Sequence, residues 1–125
     1  MESLIDKYIS KYRITLTVDY GDRNSVRRHN RAMDACRKIA STIQQQQPEL
    51  KEDFFALLES DIPLLPILVA HHMIEVMEYE DVQKSKALNI IYTRSKEDSV
   101  EGLGNRMWLK NYLKENPNDE KLICH

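Results

Sequence analysis

The sequence is short of the residues that break a chain or staple it. Its 125 residues include three glycines, four prolines and two cysteines. So little turn chemistry excludes a sandwich or barrel of many short strands, and with it an all-β fold. Two cysteines make no disulfide framework. Cys36 sits inside a helical pattern as a small apolar core residue and Cys124 stands next to the last residue, so both read as free thiols of a reducing compartment. No apolar run reaches the ~18 residues that span a bilayer. The longest, from Ile62 to Ala70, is broken by Pro63 and Pro66 and suits a buried helix. The opening MESLIDKYISKYR carries two acids and no apolar stretch of signal-peptide length, which predicts a protein that stays in the cytoplasm.

What is present is ordinary for a globular chain: 42% apolar residues, 30% charged residues and a formal net charge of −2. A chain of this length buries roughly two-thirds of its unfolded surface and needs neither staple nor structural metal. The expectation is one helical domain over residues 1–125.

Apolar periodicity divides that domain into about six helices. Leu4, Ile5, Tyr8, Ile9, Tyr12 and Leu16 form a stripe on a helix from about Glu2 to Tyr20. Ile14, Leu16, Val18 and Tyr20 also alternate with period two, so a short strand is the alternative there. After Gly21, Asp22 or Asn24 caps a second helix with an inner face of Val26, Met33, Cys36, Ala40 and Ile43. Pro48 opens a third, with Leu50, Phe54, Leu57 and Leu58 on its apolar side. The fourth, Leu64 to Met77, is apolar nearly all round and belongs in the middle of the protein. The fifth, about Asp81 to Lys96, is buried through Val82, Ala87, Leu88, Ile90 and Ile91, and its acid-first, base-last order follows the helix dipole. Asp98 or Ser99 caps a sixth, whose inner side is Val100, Leu103, Met107, Trp108, Tyr112 and Leu113. Asn116-Pro117-Asn118 stops it, and the tail to His125 is expected to fray. Short connections pair sequential helices as three antiparallel hairpins. A HEAT-like right-handed stack is the economical arrangement, and a closed helical bundle is the alternative.

Catalytic and cofactor chemistry finds no constellation. His71 and Glu75 share a helix face at i, i+4 beside His72, but the spacing matches no zinc motif and no third ligand can be named. Cys124-His125 lacks partners. Gly102-Leu103-Gly104 starts like a dinucleotide loop, yet no strand precedes it and no third glycine follows, so these glycines read as points where a neighbouring helix comes close. No serine sits in G-x-S-x-G, and neither cysteine has a nearby His and acid apart from the Cys124-His125 pair. The expectation is a non-enzyme with no catalytic residue, no metal and no cofactor.

Charge is distributed unevenly. Residues 1–47 hold nine bases and five acids, residues 48–81 nine acids against Lys51 alone, and residues 82–125 eight bases and six acids. A negative surface built from the middle segment would attract a basic protein and speed its association. Arg23, Arg27 and Arg31, with Arg28 beside them, make a basic stripe on the second helix. The acidic total and the lack of interleaved aromatics or a recognisable reader argue against direct nucleic-acid binding, and pairing with Asp22, Asp34 or the acidic segment is the plainer reading.

Several segments together resemble a small bacterial family of HEAT-like α-α superhelical domains found among immunity proteins of contact-dependent growth-inhibition and polymorphic-toxin systems. They are Arg27-Arg28-His29-Asn30-Arg31, Phe54-Phe55-Ala56-Leu57-Leu58-Glu59-Ser60-Asp61, Val69-Ala70-His71-His72-Met73, Ala87-Leu88-Asn89-Ile90-Ile91 and Gly104-Asn105-Arg106-Met107-Trp108-Leu109. The resemblance implies an α-α superhelix and a cytoplasmic antidote that binds a cognate toxin domain and covers its active site. A basic nuclease is the expected toxin, because nucleases must hold phosphates. With the charge map, this assigns partner contacts to Glu49, Glu52, Asp53, Glu59, Asp61, Glu75, Glu78, Glu80 and Asp81, with Tyr79 as an aromatic anchor. The alternative is a HEAT-like interaction scaffold with no toxin to neutralise, marked by an exposed apolar groove. Neither nucleic acid nor membrane is an expected partner, and the oligomeric state is left open.

Overall fold

Every regular element in the computed structural model, which describes residues 3–124, is helical. Its α-helices are α1 (Leu4–Thr15), α2 (Arg23–Gln46), α3 (Lys51–Ala56), α4 (Leu65–Glu75), α5 (Asp81–Ser95) and α6 (Val100–Glu115). Short 3₁₀ segments cover Pro48–Leu50, Leu57–Glu59 and Pro117–Leu122. The chain is all-α, and among the described residues the strand alternative at residues 14–20 is absent. It divides into two compact units, Met1–Ala56 and Leu57–His125.

In the first unit, Ser3 caps α1 by accepting the Asp6 N–H at 3.1 Å, so the helix start expected at Glu2 lies at the edge of the described residues. The helix ends near Thr15 rather than Tyr20. Two threonine hydroxyls take up its last carbonyls, Thr15 on Tyr12 at 2.6 Å and Thr17 on Ile14 at 3.0 Å. The chain then turns on Asp19, whose carboxylate accepts the Gly21 N–H at 2.9 Å and whose own N–H donates to the Ser25 hydroxyl at 2.7 Å. These local bonds satisfy the backbone that the alternating residues would have offered to a partner strand. Asp22 then caps α2 through the Asn24 N–H at 3.0 Å. Tyr8 and Tyr12 of α1 are buried, as are Ala32, Cys36, Ala40 and Ile43 of α2. Phe54 meets Tyr8 edge to face with centroids 4.9 Å apart, and each such ring contributes roughly 1.5–3 kcal/mol by leaving water. The third helix is broken into α3 with a 3₁₀ turn on either side, although Phe54 and Leu58 point inward as the pattern requires.

The second unit is built on α4, in which no residue from Leu65 to Ile74 is exposed, as its all-round apolar character predicts. Leu64 enters it with a left-handed φ of 63°. Ser99 caps α6 through the Gly102 N–H at 3.0 Å. Arg106 of α6 reaches back to the end of α5, donating to the Ser95 carbonyl at 2.8 Å and the Glu97 carbonyl at 3.0 Å. That places a cation on the negative pole of α5. Leu88, Leu109 and Ile123 form a core against which Ile74, Tyr92, Trp108, Tyr112, Leu113 and Leu122 pack.

Four expectations are corrected in this unit. Val82 of α5 is 81% exposed, and Val100, Leu103 and Met107 of α6 are 83%, 50% and 59% exposed, so they do not belong to an inner side. α6 carries apolar residues on two faces, and the face with Gly102, Leu109 and Leu113 is the one turned inward. Gly102 does make a close approach, but to the Glu97 carbonyl rather than to a neighbouring helix, while Gly104 has open space where a Cβ would be. As far as Cys124 the tail is not frayed: the Asn89 side chain donates to the Leu122 carbonyl at 3.0 Å and accepts the Cys124 N–H at 2.7 Å, while His125 lies outside the described residues. Ser85 adds a hydroxyl bond to Leu122 at 2.6 Å, and Ile123 is buried.

Candidate functional site

The second unit carries an open cleft along α4 and α6. One hollow of about 250 Å³ is lined by Ile74, Glu75, Trp108, Asn111, Tyr112 and Glu115. A second of about 440 Å³ shares Ile74, Tyr112 and Glu115 and adds Glu78, Tyr79 and Lys84 among others. Trp108, Tyr112 and Glu115 recur at i, i+4 and i+7, so one face of α6 supplies two aromatic rings and a carboxylate. The last turn of α4 and the residues after it supply Glu75, Glu78 and Tyr79.

Hydrogen bonds and stacking hold the cleft wall in place. Asn105 uses its Nδ2 on the Glu101 carbonyl at 2.9 Å, which turns its Oδ1 toward His71 Nε2 at 2.7 Å. That nitrogen therefore donates. The other ring nitrogen, Nδ1, lies 3.5 Å from Glu75 Oε2. Trp108 meets the His71 ring edge to face at 4.6 Å and stacks on Tyr112 at 5.1 Å with planes 5° apart. The Tyr112 hydroxyl donates to Asp119 Oδ2 at 2.5 Å. Burial first, and then that bond to a carboxylate, push the phenol well above the usual tyrosine range. Asp119 also faces Lys84 Nζ at 3.4 Å. Carboxylates at the lip and aromatic faces on the wall suit a cationic side chain, which can take charge-assisted hydrogen bonds and a ring face together.

His71 and Glu75 are neighbours, whereas His72 turns into the core. Among the described residues, no three His, Cys, Asp or Glu side chains are grouped to hold a metal ion. Cys124 is exposed, and the Cys124-His125 pair lies partly outside the described residues.

All nine acids of the expected partner surface are exposed, and Tyr79 is half-buried. Glu49, Glu52 and Asp53 belong to the first unit. Glu59 and Asp61 precede α4, and Glu75, Glu78, Tyr79, Glu80 and Asp81 follow at its other end, about 16 Å away by the rise of the helix. Glu59 is ion-paired with Lys86. The cleft takes Glu75, Glu78 and Tyr79 from this set. Sequence reasoning missed Glu115 and read Trp108 and Tyr112 only as core; their i, i+4, i+7 spacing was the available signal. The arginine stripe also differs from expectation. Arg23, Arg27, Arg28 and Arg31 are exposed, and among the described residues of the first unit none makes an ion pair with Asp22 or Asp34.

No protein-family model, curated protein or solved structure matches this chain. Among the described residues no helix is long and apolar enough to cross a membrane.

Proposed function

We propose that this chain is an immunity protein: it captures a basic region of a cognate toxin domain, a nuclease, and neutralises it by covering the active site. The observation that carries the reading is the cleft in which Glu75, Glu78 and Glu115 stand around Trp108, Tyr112 and Tyr79. An arginine or lysine that normally holds a substrate phosphate would enter between the carboxylates and lie against the rings. The remaining exposed acids steer the encounter. The cytoplasmic setting and HEAT-like stacking implied by the family resemblance belong to the same reading.

The test is titration of the protein against the product of the adjoining upstream reading frame. The expected result is one stoichiometric partner with a Kd of about 1 nM, or about −12 kcal/mol, whose activity disappears on binding. Glu75→Lys with Glu115→Lys should raise Kd by about a hundredfold or more and flatten its salt dependence. Full affinity in that double variant would remove the cleft from the interface.

A second reading, a scaffold for several partners, is favoured by Val100, Leu103 and Met107, which form an exposed apolar stripe on α6. It predicts weak binding to several amphipathic segments, lost in Leu103→Ser with Met107→Ser and untouched by the cleft variants.

A further inference from the structure

The outer face of α2 presents cations that have no counter-ion among the described residues. Arg23, Arg27, Arg28, Arg31 and Lys38 are all exposed, and none makes an ion pair or side-chain hydrogen bond among the described residues. Asp34 is the only acid in the helix. The Asp22 carboxylate caps the start of the helix, and Arg23 beside it sets a cation against the positive pole of the helix dipole. A self-contained fold gains nothing from this arrangement, whereas an anion bound along the helix would compensate it.

Two observations decide which anion. Among the described residues the exposed large apolar side chains are Leu16, Tyr20, Leu64, Val82, Val100, Leu103 and Met107, and none lies on α2. A protein partner would meet no buried anchor there, and such anchors carry most of the energy of protein interfaces. A linear polyelectrolyte needs none. Successive arginines of the stripe advance about 6 Å along a straight helix edge, close to twice the rise of about 3.4 Å per nucleotide of a stacked strand. Each guanidinium can also hold a phosphate with two parallel hydrogen bonds. Tyr20, 76% exposed, lies against His29, which belongs to the inward side of α2 with Ala32 and Cys36, so it is not part of this edge.

We infer that the outer face of α2 binds nucleic acid through its backbone, with phosphates on Arg23, Arg27, Arg31 and Lys38, without sequence preference. This goes beyond the toxin-binding reading, because it uses other residues and another class of partner. Its test is fluorescence anisotropy of the full chain with labelled oligothymidylate and oligouridylate of about 12 nucleotides at about 50 mM salt. Binding should weaken with salt at a log–log slope of about −3, as expected for four phosphates of a single strand. R27E with R31E should lower affinity about tenfold or more and reduce the slope, while R27K with R31K stays within about threefold. Circular dichroism checks that each variant folds, and R27Q with R31Q replaces the reversal if that variant does not. No binding at low salt, binding indifferent to both neutralisation and reversal, or displacement of the oligonucleotide by polyglutamate of equal charge would each overturn the proposal.

Discussion

A Cβ placed on Gly102 would lie 2.0 Å from the carbonyl oxygen of Glu97. The bend from α5 into α6 is therefore closed by backbone against backbone, and only glycine fits. Two residues on, Gly104 has nothing within 4 Å of the same position. Gly102→Ala should destabilise the protein by about 2–3 kcal/mol, because the displaced carbonyl also receives the Arg106 bond. Gly104→Ala should stabilise it by about 0.5–1 kcal/mol, the helix propensity difference alone. Urea titrations of the two variants check this, and equal effects would show that the close contact does not exist.

Asn89 holds the end of the chain with both halves of its amide. Removing it in Asn89→Ala leaves the Cys124 N–H and one partner of the Leu122 carbonyl unmet, a loss of about 1–3 kcal/mol. The Cys124 amide should exchange with solvent faster than in the parent protein, and trimming by carboxypeptidase should accelerate. Unchanged exchange there would mean that Ile123 alone anchors the tail.

The two thiols should behave oppositely. Cys36 is fully buried with its S–H 3.6 Å from the Tyr8 carbonyl, and burial pushes it up to about 11 despite the opposing pull of Lys11. Cys124 is exposed. Titration with a disulfide reagent at about pH 8 should find one rapid thiol and a second that appears only on unfolding. Folding favours the neutral Cys36 thiol, so its contribution is complete below the ordinary value of 9.0 and is lost as pH rises through about 11.

Tyr112 gives alkaline stability the same sign. Burial and its bond to Asp119 raise its pKa above 10.0 in the folded protein, so the neutral phenol is favoured by folding. The contribution is present below pH 10 and disappears as pH climbs beyond it. Tyr8, raised mainly by burial, acts in the same direction. Tyr112→Phe should lower stability at pH 7 and make its decline above pH 10 shallower, measured by thermal melts across pH. An identical decline in the variant would assign the alkaline transition elsewhere.

The sequence by itself determined where the helices lie. Asp22 and Ser99, each one of two candidate caps in the sequence, place a side-chain oxygen ahead of an apolar run and cap a helix, because capping is decided within a few residues of chain. The burial of α4 was legible for a related reason, since a helix apolar all round has no face to give to water. Tertiary structure decided the rest. α6 has two apolar faces of similar strength, and periodicity cannot say which one turns inward. The inner face is the one on which Gly102 meets the Glu97 carbonyl, leaving Val100, Leu103 and Met107 in solvent. The tail is ordered by Asn89, 35 residues before Cys124, a pairing that no local pattern announces. The cleft joins Glu75 and Glu78 to Glu115, which a charge count by segment had placed in different groups. Local hydrogen bonding and propensity act over a turn or two of chain, so they can be read along the sequence. Which face packs, which charges stay unpaired and which carboxylates share a cleft depend on contacts between distant segments, and these exist only once the helices have packed.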